Sequence, residues 1–133
     1  MQHAQCLCGG IAFELHGPLP AMQVCHCSQC RRAQGGPFAT NLPVPREAFR
    51  LQRGAELLQA YSASPGKRRW FCRQCGSPIY SERDSAPGML RVRAGLLDGQ
   101  PVLQREAQYH VASRARWWPL DDDLPSVEEG RGN

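Results

Sequence analysis

Three cysteines within six residues, in the stretch Cys25-His26-Cys27-Ser28-Gln29-Cys30, decide how this chain of 133 residues folds. The other four cysteines form two further pairs, Cys6-Leu7-Cys8 upstream and Cys72-Arg73-Gln74-Cys75 downstream. None of the seven is isolated, and each cluster has a spacing that can bring two or three sulfurs onto one ion. The sequence therefore predicts a small domain folded around zinc.

Length and composition favour a single domain over residues 1–133. The 13 Gly and 11 Pro predict short strands and turns in place of long helices. No apolar run approaches the roughly 20 residues that cross a bilayer, and the first residues do not resemble a signal peptide. We therefore expect a cytoplasmic protein with no membrane partner, whose reduced thiols serve metal binding or catalysis and not disulfides.

The formal net charge of +4 raises the question of nucleic-acid binding. The fifteen Arg and one Lys are spread along the chain, and the densest basic run is only Lys67-Arg68-Arg69. Seven thiolates and two Zn²⁺ ions would reduce the charge to about +1. A nucleic-acid protein would be expected to carry a strong basic stripe, so no nucleic-acid partner is predicted.

The hydrophobic pattern predicts a mainly β fold. Alternation of Ile11, Phe13 and Leu15 indicates a half-buried strand over residues 9–16, with Cys6 and Cys8 at its entrance. A turn and a short strand are predicted at 44–51. Further short strands are predicted at 21–25, 38–42, 56–61, 67–71, 78–82, 89–93 and 108–113.

Other signals predict where these elements end. One or two helical turns are expected over residues 28–34, ended by Gly35. Pro43 and Pro45 are expected to stop the strand before them and to mark a sheet edge. An acidic tail begins at Asp121, and we expect disorder from about residue 127 to residue 133.

Seven ligands divide most simply into four and three. One option joins the two pairs, Cys6 with Cys8 and Cys72 with Cys75, in a closed four-sulfur site. Cys25, Cys27 and Cys30 then hold a second ion with an open fourth position. The alternative is an ordinary zinc ribbon of Cys27, Cys30, Cys72 and Cys75, which leaves Cys6, Cys8 and Cys25. We prefer the first option because three thiols within six residues can converge locally.

The two kinds of site differ in function. A closed four-ligand zinc is structural, whereas three protein ligands and an exchangeable position are typical of catalytic zinc. His26 could complete the second tetrahedron, although neighbouring side chains in an extended segment point to opposite faces. In that case both ions would only stabilise the fold.

Several other residues have simpler interpretations. Spacing gives His3, His16 and His110 no metal-binding partner. Trp70, Trp117 and Trp118 are expected to pack in the core or at its rim, and Ser28 and Asn41 to serve as cap and turn residues.

The succession of motifs resembles one known family. It consists of Cys6-x-Cys8-Gly9, Cys25-His26-Cys27-x-x-Cys30-Arg31, Phe71-Cys72-x-x-Cys75-Gly76-Ser77-Pro78, Gly95-x-Leu97-Asp98 and Tyr109-His110-Val111, then Trp117 and Asp121 to Pro125. This pattern is similar to that of the glutathione-dependent formaldehyde-activating enzyme family, also called the centromere protein V/Gfa domain family. The resemblance extends from Cys6 to about Pro125.

The resemblance implies an Mss4-like fold, in which several small, coiled antiparallel sheets assemble around zinc with at most one or two short helical turns. It implies a structural zinc on Cys6, Cys8, Cys72 and Cys75. A second, labile zinc on Cys25, Cys27 and Cys30 would be the place of the thiol chemistry.

The implied reaction is that of a carbon–sulfur lyase acting on a thiol adduct of a small aldehyde, such as S-hydroxymethylglutathione, with glutathione as co-substrate. Arg31, Arg32, Lys67 or Arg68 could anchor a glutathione carboxylate. The alternative is a non-catalytic, zinc-stabilised binding module that acts through a protein partner.

Overall fold

Ten short strands and one two-turn α-helix form the framework of the computed structural model, which describes residues 1–119 and 124–130. The strands are β1 (Gln2–Gln5), β2 (Ala12–Leu15), β3 (Met22–Cys25), β4 (Ala39–Pro45), β5 (Phe49–Arg53), β6 (Leu58–Ser64), β7 (Lys67–Cys72), β8 (Pro78–Arg83), β9 (Met89–Arg93) and β10 (Arg105–Tyr109). The helix α1 spans Ser28–Gln34, and single 3₁₀ turns lie at Arg46–Ala48, Ala55–Leu57, Ala94–Leu96 and Val111–Ser113. The prediction of a mainly β fold is confirmed.

The strands form two sheets. A three-stranded sheet has the order β1-β2-β5, and a seven-stranded sheet has the order β10-β3-β4-β9-β8-β7-β6. Neighbouring strands are antiparallel, except that β10 runs parallel to β3. No described helix is long and apolar enough to span a membrane.

The core lies between the two sheets. Phe13 and Leu15 of β2 are buried there with Leu42 of β4 and Val92 of β9. The ring of Phe49 stacks on that of Phe13, with centroids 4.6 Å apart. Because side chains alternate across a strand, the odd-numbered residues of β4 and β9 project from the opposite face of the larger sheet. That second face carries the polar residues described below.

One predicted strand end is wrong. Strand β4 does not stop before Pro43 but continues through it, opposite Arg91 of β9, and ends at Pro45, opposite Met89. Strand β3 pairs with β4 only as far as Asn41, so beyond that residue one side of β4 has no partner in the sheet. A residue without an N–H group is tolerated there, because the missing donor faces the unpaired side.

The strand predicted over 9–16 is shorter than expected and is preceded by another. The Cys6–Gly10 segment is the turn between β1 and β2, in which the N–H of Gly9 donates to the carbonyl of Cys6 at 3.0 Å. The two cysteines therefore lie in the turn that leads from β1 into β2.

The C-terminal part runs beside β10. The predicted strand over 108–113 lies earlier, at Arg105–Tyr109, and is followed by a 3₁₀ turn. The N–H of Val127 donates to the carbonyl of Gln108 at 3.1 Å, within the part of the tail for which disorder was expected. The predicted acidic segment that begins at Asp121 and the final residues 131–133 lie outside the described residues.

Candidate metal centre and adjoining cavity

Four sulfurs converge where the two sheets meet. The Sγ atoms of Cys6, Cys8, Cys72 and Cys75 all lie within 4.8 Å of one another. Cys6 and Cys8 come from the β1–β2 turn, Cys72 ends β7, and Cys75 lies in the turn before β8. We call these four residues the four-sulfur cluster.

Backbone N–H groups in both turns point at these sulfurs. The amide of Ile11 donates to Cys6 Sγ at 3.3 Å, and that of Gly10 donates to Cys8 Sγ at 3.4 Å. The Ser77 hydroxyl lies 3.2 Å from Cys75 Sγ and accepts a hydrogen bond from the amide of Leu7. Burial raises the pKa of Cys75, but hydrogen bonds from the Ser77 hydroxyl and from backbone amides outweigh it and lower the pKa to about 5. These contacts therefore favour the thiolate of Cys75. For Cys8 the Gly10 amide lowers the pKa, but burial and contacts with the other three sulfurs outweigh it and raise the pKa to about 11.

The spacing of these sulfurs fits a tetrahedral metal ion. Sulfurs about 2.3 Å from a central ion are separated by about 3.8 Å in a tetrahedron. The Cys6–Cys8 and Cys8–Cys72 Sγ distances are 3.5 and 3.9 Å. Four soft thiolates at this separation are a donor set for Zn²⁺.

A second group of three sulfurs forms around the start of α1. The Sγ atoms of Cys25, Cys27 and Cys30 also lie within 4.8 Å of one another. Cys25 ends β3, Cys27 is the N-cap of α1, and Cys30 is buried in the first helical turn. The N–H of Cys30 donates to Cys27 Sγ at 3.3 Å, so the cap itself holds one sulfur in place. We call these residues the three-sulfur cluster.

Two of the three thiols have pKa values shifted in opposite directions. Contacts with the other two sulfurs, followed by burial, raise the pKa of Cys25. The same sulfur contacts lower the pKa of Cys30, and the Arg69 and Lys67 cations lower it further. Cys30 therefore lies next to positive charge and could hold a metal ion together with its two neighbours.

His26 does not join the three-sulfur cluster. Its ring is buried on the other side of the chain, where Nε2 lies 2.7 Å from Gln108 Oε1 and the ring meets Phe38 edge-on. Among the described residues, no His, Cys, Asp or Glu atom supplies a fourth ligand to these sulfurs. The cluster thus offers three protein donors.

A cavity of about 490 Å³ adjoins the three-sulfur cluster. Cys25 and Cys30 form part of its wall. Most of the rest comes from polar and basic side chains, including Asn41, Lys67, Arg69, Ser81, Arg83, Arg91, Arg93 and His110. A volume of this size suits a small-molecule ligand.

The candidate carboxylate anchors lie in different places. Lys67 borders the cavity. Arg68 projects from the opposite face of β7, where it binds Glu82 and Asp84 at 3.1 and 3.0 Å. Arg31 and Arg32 lie on α1 and do not border this cavity.

Sequence reasoning missed Arg69, Arg83, Arg91 and Arg93. The alternation of side chains along β7, β8 and β9 could have indicated them, because it places these residues on the sheet face opposite the core.

The remaining predicted residues divide between structural and cavity positions. His16 and His3 approach Glu14 at 2.9 and 3.6 Å on the smaller sheet. His110 borders the cavity with a positive φ of 57°. Asn41 accepts a hydrogen bond from Arg93, and Ser28 lines a neighbouring cleft.

The three tryptophans differ in exposure. Trp70 is partly buried and donates to Glu82. Trp118 meets Phe38 edge-on but is 48% exposed, and Trp117 is 66% exposed. Trp70 and Trp118 pack at the rim of the core, as predicted, whereas Trp117 faces solvent.

Comparison with known proteins gives a consistent result. A family model described as glutathione-dependent formaldehyde-activating enzyme matches residues 1–113. A Schizosaccharomyces pombe protein named as an uncharacterized lyase is 24% identical, over 92% of this chain and 93% of its own length. Two proteins from Aspergillus flavus and Aspergillus oryzae, each named putative glutathione-dependent formaldehyde-activating enzyme, are 25% identical over 77 residues. Those alignments cover 56% of this chain and 40% of each relative.

One solved structure is similar in both fold and sequence. The crystal structure of a Rhodobacter sphaeroides protein superimposes with a TM-score of 0.64 and 30% sequence identity. The match covers 74% of this chain and 90% of that one.

Proposed function

The chain belongs to the glutathione-dependent formaldehyde-activating enzyme family, and on this premise we propose that it is a zinc-dependent carbon–sulfur lyase. Its substrate would be a thiol adduct of a small aldehyde, such as S-hydroxymethylglutathione. One observation carries the proposal: three convergent sulfurs have no fourth protein ligand among the described residues, and two of them border a cavity.

The two clusters would have different roles. Cys6, Cys8, Cys72 and Cys75 would hold a structural zinc that joins the sheets. Cys25, Cys27 and Cys30 would hold a second zinc whose fourth position is open to the substrate. When bound there, the ion would supply stabilisation of a thiolate and polarisation of an aldehyde oxygen.

The reaction in the direction of breakdown requires few protein groups. The carbon–sulfur bond breaks with its electron pair on sulfur, the hydroxyl loses its proton to solvent, and the carbon is released as the aldehyde. The protein's residues would hold the adduct in the cavity with its sulfur toward Cys25 and Cys30, the two cluster residues in the cavity wall. In the reverse direction, positioning of this kind would convert the addition of a thiol to an aldehyde into a step within one bound complex.

The alternative of a non-catalytic binding module receives less support. It requires a closed second site with a fourth protein ligand, for which His26 was the candidate. The His26 ring is buried against Phe38 and bonded to Gln108, away from the sulfurs. All seven cysteines are free thiols, which supports a reducing compartment such as the cytoplasm.

The test combines zinc analysis with an adduct assay. Zinc-loaded protein is expected to accelerate the exchange between formaldehyde, glutathione and their adduct, measured by NMR exchange spectroscopy. Cys27→Ser should lower this rate at least about 100-fold, as loss of a catalytic group does, and should remove about one zinc per chain.

Arg32→Ala is the matched control, because this exposed α1 residue does not border the cavity. It should retain both zinc ions and the rate of the unmodified protein. An unmodified protein that holds two zinc ions but does not accelerate exchange would overturn the proposal.

A further inference from the structure

Among the described residues, three of the four histidines have a hydrogen-bond or ion-pair partner for the ring, and the fourth, His110, has none. His3 and His16 approach the same carboxylate on the smaller sheet, at 3.6 and 2.9 Å. His26 Nε2 lies 2.7 Å from Gln108 Oε1. The ring of His110 is therefore the one in this set that is available to exchange a proton with a ligand.

The parallel pairing of β10 with β3 brings His110 to the three-sulfur cluster. Because parallel strands run in the same direction, both end at the same edge of the sheet. Tyr109, the last residue of β10, lies opposite Cys25, the last residue of β3. The carbonyl of Tyr109 also accepts a hydrogen bond from the amide of His26 at 2.9 Å. His110 follows directly, so its backbone lies next to the start of the cluster.

His110 borders the open space beside all three sulfurs. It lines the cavity of about 490 Å³ whose wall includes Cys25 and Cys30. It also lines the neighbouring cleft of about 520 Å³, whose wall includes Cys27. A ligand that holds its sulfur at the cluster would therefore share its binding space with the imidazole.

The backbone of His110 has a conformation that is costly for a residue with a Cβ. Its φ of 57° and ψ of 39° lie in the left-handed region. Among the described residues, Gln100 is the other non-glycine residue with a positive φ, and it is exposed in a turn. Glycine would avoid the cost at position 110. Residues in such conformations cluster at active sites and ligand clamps, so the outlier at the cavity points to a functional side chain.

The C-terminal segment packs against the His110 ring. It runs beside β10, where the amide of Val127 donates to the carbonyl of Gln108 at 3.1 Å. This course brings Gly130 onto the ring, since a Cβ on Gly130 would overlap Nε2 and lie 3.0 Å from Cε1. Only glycine permits this approach. The contact restrains the ring, and a general base must be positioned in this way relative to the proton that it accepts.

We propose that His110 is a catalytic residue, the base that accepts the hydroxyl proton of the adduct during breakdown. The proton moves from the hydroxyl oxygen to a nitrogen of the neutral ring, and the O–H electron pair becomes the second bond of the aldehyde carbonyl. The carbon–sulfur electron pair leaves with the sulfur as a thiolate. His110 then passes the proton to solvent, and the addition runs through the same steps in reverse. This inference rests on the proposed function and adds a proton-transfer group outside both clusters.

The main test compares zinc-loaded His110→Gly with the unmodified protein in the NMR exchange assay. Glycine adopts a positive φ without strain, so circular dichroism should show a folded protein. The exchange rate should fall at least about 100-fold, as loss of a general base does. Zinc content should not change, because His110 belongs to neither cluster. An unchanged rate, or a loss of zinc in step with the rate, would overturn the proposal.

Two further variants support this comparison. His110→Asn should lose the rate in the same way, because asparagine tolerates the left-handed backbone but is not a base. It replaces His110→Gly if that variant does not fold. His3→Gln is the matched control, since His3 is exposed on β1 of the smaller sheet, and it should exchange at the rate of the unmodified protein. A loss in His3→Gln as large as that in His110→Gly would count against the assignment.

Added imidazole distinguishes proton transfer from a structural role. It is supplied at a concentration that leaves the rate of the unmodified protein unchanged. Imidazole should then raise the rate of His110→Gly, whose missing side chain leaves room for it beside the cavity, but not that of Cys27→Ser. If imidazole does not restore any of the rate of His110→Gly, the role of His110 is structural and the proposal fails.

The pH dependence gives a second readout that a structural role would not change. Other titratable groups share these spaces: Lys67 and Arg83 border both, Asp84 the cleft, and Tyr109, Glu129 and three further arginines the cavity, besides the cysteines. Because they remain in His110→Gly, the ratio of the two rates isolates the histidine. A protonated ring cannot accept a proton, so the ratio of the unmodified rate to the variant rate should fall as the pH is lowered. A ratio that is independent of pH would contradict the proposal.

The outcomes separate this inference from the proposed function. An unmodified protein that does not accelerate exchange would sink the lyase function, and this inference with it. Acceleration that persists in both His110→Gly and His110→Asn would sink this inference alone.

Discussion

The two cysteine clusters use the same chemistry at very different sequence distances. The four-sulfur cluster joins residues that are distant in the sequence, such as Cys8 and Cys72 with a separation of 64 residues, and it links the two sheets. The three-sulfur cluster is drawn from six consecutive residues at one strand end and one helix N-terminus. A cross-link that closes a long loop constrains the unfolded chain strongly, whereas a local one does so weakly. The difference teaches that one cluster can stabilise the fold while the other is free to serve chemistry.

The strongest test of this contrast removes one sulfur from each cluster. Cys72 is fully buried, and Cys72→Ser should lose most of the free energy of unfolding, which is about 5–15 kcal/mol for a domain. Cys27→Ser should cost clearly less, because the three-sulfur cluster closes only a short local loop and serine is itself a favourable N-cap for α1. Denaturant unfolding followed by circular dichroism measures both. Similar losses in the two variants would contradict the division of roles.

A smaller loss of stability is expected from a substitution that crowds the turn carrying Cys8 but leaves all four sulfurs in place. Gly54 has a φ of 91°, and a Cβ there would lie 2.8 Å from Cα of Ile11 and against the carbonyl of Gly10, next to Cys8. Gly54→Ala should therefore destabilise the protein by about 3 kcal/mol. It should weaken zinc retention in the four-sulfur cluster more than in the other.

Gly17→Ala is the matched control for Gly54→Ala. Gly17 has a similar φ of 84°, but a Cβ there would meet nothing within 4 Å. Gly17→Ala should lower the free energy of unfolding only by the cost of a left-handed backbone at alanine, about 1–2 kcal/mol. Equal melting temperatures for the two variants would show that the contact with the β1–β2 turn is unimportant.

The smallest effect concerns a single hydroxyl. Ser77 links the two halves of the four-sulfur cluster, since it contacts Cys75 Sγ and accepts from the amide of Leu7. Ser77→Ala should cost about 1 kcal/mol in thermal unfolding. Ser28→Ala, at the first position of α1 beside the three-sulfur cluster, should cost less because Ser28 is exposed. The reverse order would place the greater stabilising role at the three-sulfur cluster.

Local signals in the sequence predicted much of the fold. The knuckle at Cys72–Cys75 between two strands and the helix that ends at Gly35 were visible because each depends on a few adjacent residues. The sequence did not predict the parallel pairing of β10 with β3, nor the continuation of β4 through Pro43. Both depend on which strands become neighbours.

The candidate site was predictable only in part. Dividing the seven cysteines into four and three, with each sequence cluster kept intact, predicted the grouping that the structure has. The metal ligands themselves remain a proposal. The arginines that border the cavity were missed because they come from three different strands. Arg91 and Arg93 were recognisable as one face of β9, but nothing in their spacing indicated that Arg69 of β7 would share it.

The distance between the paired cysteines also sets an order of events during synthesis. Cys25, Cys27 and Cys30 emerge from the ribosome together, so the nascent chain can capture an ion there before β7 has been translated. The four-sulfur cluster must wait for Cys75, and until then Cys6 and Cys8 are an incomplete half-site. On the proposed zinc assignment, a chain still being translated would therefore load the local cluster first and the cluster that joins the two sheets second.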